Sequence, residues 1–122
     1  MSYLFDSNIL ILSATPGLQL QPLLLAPGGT VSAISLEVLG FHGLTPAAEL
    51  YFASAFAFLE ILEITPAIIT QAVALARTCR LKAADAIIAA TALERGSTLL
   101  TQDQHFRRIP NLRVINPLEN SG

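Results

Sequence analysis

Aspartate occurs at only three positions in this 122-residue chain, Asp6, Asp85 and Asp103, and each is set among apolar neighbours. Asp6 falls in the run YLFDSNILI, residues 3–11. Asp85 lies inside LKAADAIIAATAL, and Asp103 follows STLLT. A fourth acid, Glu37, sits in SLEVLG. Carboxylates gathered at one place repel, and their pKa values rise unless a cation neutralises them. Oxygen-only ligands from Asp and Glu suit Mg²⁺ or Mn²⁺, whereas zinc would want Cys or His. Magnesium keeps several waters and binds through one or two carboxylates plus substrate phosphates. A four-acid site can hold one such ion, or two roughly 4 Å apart as in phosphoester-cleaving enzymes. The reaction implied is hydrolysis of a phosphodiester by metal-activated water.

Whether the four acids can meet depends on the elements that carry them. Residues 2–5 read as a strand and 8–13 as a short helix. Residues 30–33 form a second strand, and Ser35 to Gly40 a helical segment with Glu37 in its first turn. Thr45-Pro46 and Thr65-Pro66 each place an N-cap before a proline at the first helical position, so helices start there. Residues 59–64 alternate as a third strand between those helices. Ala83 to Glu94 is a further helix, closed by Gly96 at a C-terminal position. Residues 97–101 form a fourth strand, Gln104 to Arg108 a helical turn, and residues 113–115 a last short strand. Alternating strands and helices with short buried strands imply an α/β fold, a mostly parallel sheet covered on both faces. In such sheets ligands bind at the carboxyl edge. Asp6 and Asp103 end strands, while Glu37 and Asp85 lie in first helical turns that follow loops, so all four belong to that edge. Acids near helix starts also act as caps or dipole partners. For Glu37 and Asp103 taken singly both readings stand; Asp6 and Asp85, flanked by apolar residues, fit the cap reading less well.

The length suits one domain spanning 1–122. Charged residues make up 13% and hydrophobic ones 52%, against a usual charged share of about 25%. A surface so poor in charge implies contact with a partner or a second copy, although helices on both sheet faces raise the apolar fraction too. With a net charge of −2, a nucleic acid would have to be held by a local patch. Two basic clusters flank the acids: Arg77, Arg80 and Lys82 before Asp85, and Arg107 and Arg108 after Asp103. They are candidate phosphate contacts; the alternative is ordinary solvated helix ends. The single cysteine, Cys79, precludes an internal disulfide, fits a reducing cytoplasm, and falls in an apolar helical stripe as a core residue. MSYLFDSN lacks the pattern of a signal peptide. Residues 50–64, LYFASAFAFLEILEI, fall short of the roughly 20 apolar residues a spanning helix needs, and read as a buried helix running into a strand. No glycine-rich dinucleotide or P-loop motif occurs.

Taken in order, DSN at residues 6–8, Glu37 after a small strand, LKAADAIIAATAL and LLTQDQHFRRIPNLRVINP resemble a PIN domain, and within it a VapC-type toxin of bacterial toxin–antitoxin pairs. The resemblance covers essentially the whole chain. It implies a three-layer α/β/α fold around a short, mostly parallel sheet, and a Mg²⁺- or Mn²⁺-dependent ribonuclease. The catalytic, metal-holding acids would be Asp6, Glu37, Asp85 and Asp103, with Asn8 and Thr101 in supporting positions. The partners implied are RNA, a cognate antitoxin whose C-terminal segment covers the cleft, and a second copy in a homodimer. There is one departure: where many relatives carry an acid two positions after the last aspartate, this chain has His105, which puts a second metal ion in doubt. His105 either contacts phosphate or covers the loop, and His42 reads as structural. The competing functions are a catalytically inactive PIN-like module that only binds RNA or protein, and another Mg²⁺-dependent α/β enzyme. A phosphatase of the haloacid dehalogenase type would want Asp where Asn8 stands. A receiver domain would want a lone Lys late in the chain, and the only lysine is Lys82.

Overall fold

The computed structural model describes residues 2–15, 20, 22, 28–35 and 45–118. Among the described residues five short strands build the sheet: β1 (Tyr3–Phe5), β2 (Gly29–Ser32), β3 (Glu60–Leu62), β4 (Thr98–Leu100) and β5 (Val114–Ile115). Their order is β3-β2-β1-β4-β5, and every neighbouring pair is parallel. The first strand is therefore the central one. Leu4 stands opposite Thr30 on one side and Leu99 on the other, and Phe5 opposite Leu100.

Successive strand residues point to opposite faces, which splits the core in two. Phe5, Val31 and Leu100 pack with Ile9 and Leu10 of α1 (Ser7–Ser13) and Phe52 of α2 (Pro46–Phe58). Leu4, Leu62 and Leu99 pack on the other face with Ile88, Ala89 and Ala92 of α4 (Ala83–Arg95). Outside α4 lies α3 (Pro66–Cys79), joined to it through Ile68, Ala72, Ala86 and Ala90. The small alanines on α4 let both the sheet and α3 approach closely. Helices thus cover both faces of the parallel sheet, giving three α/β/α layers. Among the described residues no helix is long and apolar enough to cross a membrane.

The two Thr-Pro starts form as their chemistry dictates. Thr45 and Thr65 accept hydrogen bonds from the Ala48 and Ile68 backbone N–H groups at 3.1 and 3.2 Å, with proline in the first turn. Losing such a cap costs about 1 kcal/mol. Thr65→Ala is therefore expected to lower the melting temperature by about 4 °C, measurable by calorimetry, with the fold unchanged in circular dichroism.

Two expectations change. Residues 59–64 pair only over 60–62, because Leu59 closes α2, its N–H bonded to the Ala55 carbonyl. The segment over residues 50–64 is also not simply buried. In α2, Phe52 and Ala55 face the core while Leu50 is 71% and Phe58 75% exposed. This helix is apolar nearly all round, but among the described residues its core contacts are on one side. After β2, residues 33–35 make a 3₁₀ turn; Glu37 and His42 lie outside the described residues.

Candidate active site

β1 ends at Phe5 and the chain turns directly into α1, so Asp6 stands at the carboxyl edge of the central strand. Its N–H still donates to the Leu100 carbonyl at 3.0 Å, and its own carbonyl accepts from the Ile9 and Leu10 amides. The backbone occupies the N-cap position, yet the side chain makes no capping bond of the usual kind to the second or third helical residue. Only 6% of the residue is exposed. Besides the Ser7 amide, the buried carboxylate has a partner at the end of another strand, Thr101. The Thr101 hydroxyl donates to Asp6 Oδ2 at 2.7 Å and accepts from the Asp103 N–H at 3.0 Å. One hydroxyl at the end of β4 thus ties two aspartates together.

Burial pushes the Asp6 carboxyl above its ordinary value, and the negative charges of Asp85 and Asp103 push the same way; the Thr101 bond and the Ser7 amide oppose them. Asp85 occupies the first turn of α4 and is half-buried. Asp103 precedes the 3₁₀ turn Gln104–Arg108 and caps it, its Oδ1 accepting from the His105 N–H at 2.9 Å. The same Oδ1 meets His105 Nδ1 at 2.7 Å. Asp103 is therefore both a cap and a cleft residue, so the two sequence readings are compatible.

Asp6, Asn8, Asp85 and Asp103 line one cleft of about 240 Å³, walled on its apolar side by Ile11 and Ile88. The three aspartates come from the ends of β1 and β4 and the start of α4, as a parallel sheet allows. Asp85 and Asp103 also border a second cleft of about 330 Å³, shared with His105, Arg80, Lys82 and Arg108. Arg80 and Arg108 continue into a third, of about 360 Å³, beside Cys79. Negative charge at one end thus gives way to positive charge at the other. Arg80 ends α3 in the left-handed conformation, φ 54° and ψ 47°, which reverses the chain toward α4. Arg77 and Arg107 are not among the residues lining these clefts.

The donors suit a hard divalent cation in type, all being carboxylate oxygens. A cation would also relieve the burial and repulsion that disfavour ionised Asp6. Yet among the described residues no three His, Cys, Asp or Glu side chains stand close enough to form a ready-made ligand set. The acids line one cleft without closing on one point. An ion that keeps several waters and needs only one or two direct carboxylates fits that spacing; a fully dehydrated ion does not.

Two features escaped the sequence. The His105–Asp103 contact is one; a His two residues after an Asp was its only trace. The other is the Ser7 hydroxyl donating to the Ser35 hydroxyl at 3.2 Å, which fastens the start of α1 to the turn after β2.

Residues 3–112 match the family model described as "PIN domain". The chain is similar in structure to a toxin–antitoxin complex from Klebsiella pneumoniae, with 33% identity, 95% of this chain and 98% of that one covered, and a TM-score of 0.76. VapBC2 from Rickettsia felis, bound to a DNA fragment from its promoter, matches at 25% identity over 95% and 98% of the two chains, with a TM-score of 0.78. FitAcB from Neisseria gonorrhoeae shares the fold at 21% identity and a TM-score of 0.75, over 97% and 99%. No protein of curated function matches the sequence.

Proposed function

The chain belongs to the PIN domain family, and from that premise we propose that it is a Mg²⁺- or Mn²⁺-dependent endoribonuclease, the toxin of a toxin–antitoxin pair. The observation that carries this is the convergence of all three aspartates of the chain on one cleft, with Asp6 buried and held by Thr101. Its similarity to the Klebsiella pneumoniae toxin–antitoxin complex supports the toxin role. When bound, the cation supplies the positive charge that a phosphodiester needs as it is cleaved.

The chain's own residues do the rest. Thr101 fixes one Asp6 oxygen, and His105 engages one Asp103 oxygen, so the remaining oxygens are aimed rather than free to turn. Glu37, outside the described residues, is proposed as the fourth acid. Asn8 at the cleft wall orients what enters. Arg80, Lys82 and Arg108, bordering the adjoining cleft, hold RNA phosphates and draw the strand toward the acids. We give Arg77 and Arg107 only a peripheral part in that contact. A cognate antitoxin would silence the enzyme by covering the cleft, in the cytoplasm. A second copy would cover the exposed apolar Leu50, Phe58, Ile61, Ile69 and Val73.

The deciding experiment is cleavage of a panel of structured RNAs in Mg²⁺ or Mn²⁺, wild type against Asp85→Asn. Cleavage that survives in the variant removes Asp85 from the site. One observation favours a second reading, a module that binds RNA or protein without cutting: the described acids do not form a ready-made ligand set. Titration calorimetry with Mn²⁺ separates the two, since the inactive module gives no heat attributable to Asp6 or Asp85.

Arg80 offers an independent test of the basic end. Arg80→Gly removes the cation while suiting the left-handed backbone, so stability should hold. RNA binding should weaken, with the slope of log K against log salt shallower by about 0.7 for a single strand. An unchanged slope would take Arg80 out of the phosphate contact.

A further inference from the structure

Resting on the RNA-binding function above, we propose that His105 reads the sugar of the bound strand, its Nε2 accepting a hydrogen bond from one ribose 2′-hydroxyl. The ring is held from one side: Nδ1 lies 2.7 Å from Asp103 Oδ1, and the backbone N–H of the same residue donates to that oxygen at 2.9 Å. A carboxylate oxygen only accepts, so Nδ1 carries the proton in this pair. In the neutral ring that leaves Nε2 with its lone pair, an acceptor. Nε2 makes no hydrogen bond to any described residue, and the side chain is 69% exposed.

What surrounds that acceptor decides what it can read. His105 shares its cleft with Arg80, Lys82 and Arg108, all donors. These hold phosphates, which places a bound strand's backbone, not its base edges, beside the imidazole. A DNA backbone has no hydrogen-bond donor, because phosphate and deoxyribose offer only acceptors. An RNA backbone has one donor per nucleotide, the 2′-hydroxyl. An acceptor fixed among phosphate-binding cations therefore tells ribose from deoxyribose while ignoring base identity. The three cations alone would hold either strand equally.

The test is binding by fluorescence anisotropy in metal-free buffer, where no strand is cut. The probes are a labelled DNA oligonucleotide and the same strand carrying a single ribonucleotide at each position in turn. For the wild type, ribose at one position should tighten binding about three- to ten-fold, the range one neutral hydrogen bond supports. His105→Ala and His105→Phe, the second keeping a ring without nitrogens, should lose that gain, binding the all-DNA and ribose-containing strands equally. The proposal is overturned if the gain persists in both variants, or if no position shows one. It is equally overturned if both variants weaken DNA and ribose-containing strands alike, which marks a charged phosphate contact. A wild type that binds with this preference but cuts no RNA would refute the nuclease function and leave the sugar reading standing.

Discussion

Asp6→Asn should reduce RNA cleavage on the order of 10³-fold, beyond the 10- to 100-fold that loss of an outer-sphere partner costs, while raising the melting temperature of the metal-free protein. The two effects have one origin. Burial, and then the charges of Asp85 and Asp103, hold the Asp6 carboxyl above its ordinary value of 3.8. A group whose pKa is raised by folding contributes fully to stability below its unfolded value, and that contribution is lost as pH rises through the folded value. At neutral pH the wild type therefore lacks the stability that a neutral group in this position would have. Asparagine removes the charge and keeps an oxygen for the Thr101 hydroxyl. The gain should amount to several degrees, at about 4 °C or more for each kcal/mol relieved in a domain of this size. It should vanish in acid, where both chains are neutral at this position. Thermal melts in EDTA across the acid-to-neutral range measure it. Added Mg²⁺ should then raise the wild-type melting temperature and leave the variant where it was. A variant that melts below the wild type at neutral pH would show that Asp6 stabilises the fold and is not held there for chemistry.

Thr101→Val probes the same carboxylate from the other side. Valine keeps the β-branched shape in a site only 1% exposed and removes the hydroxyl. Asp6 Oδ2 and the Asp103 N–H then both lose their partner. Leaving a buried polar group unpaired costs about 1–3 kcal/mol, and an outer-sphere partner of this kind is worth 10- to 100-fold in metal affinity or activity. Cleavage should fall by that factor and stability with it. Thr101→Ser should retain most of both. Asp6 gives up a bond that favours its ionised form, so the onset of activity should move to higher pH. If the valine variant cut RNA at the wild-type rate, Thr101 would be packing alone.

The strands and caps were legible because they rest on local rules. The Thr-Pro pairs at 45 and 65 start helices through bonds to residues three positions on, and Gly96 takes the left-handed turn that closes α4. The convergence of Asp6, Asp85 and Asp103 was legible for a different reason: a parallel sheet sends every such position to one edge. Contacts between side chains distant in sequence were not. Nothing local says that the Thr101 hydroxyl reaches back to Asp6, or that Ser7 meets Ser35. The basic residues were legible only as clusters. Sorting Arg80, Lys82 and Arg108 from Arg77 and Arg107 depends on where α3 turns, and a left-handed arginine at residue 80 has no signature in composition. The apolar character of residues 50–64 pointed to burial, whereas α2 keeps Leu50 and Phe58 outside. Hydrophobicity marks a side chain that gains from cover without saying which surface provides it.

The pairing of β1 with β4 at the centre of the sheet also governs when a growing polypeptide can assemble the acid cleft. Asp6 leaves the ribosome well ahead of its partners: the strand that receives its backbone N–H and the threonine that fixes its carboxylate follow only at residues 98–101. At synthesis rates of about 5–20 residues per second, a nascent chain spends several seconds with its first aspartate exposed on an unpartnered strand and no assembled centre. A fragment released between α4 and β4 carries Asp6 and Asp85 but lacks Thr101 and Asp103, and so has no assembled cleft. On the proposed function, no product that stops short of β4 would cut RNA, because Thr101 and Asp103 are needed to complete the cleft that Asp6 begins.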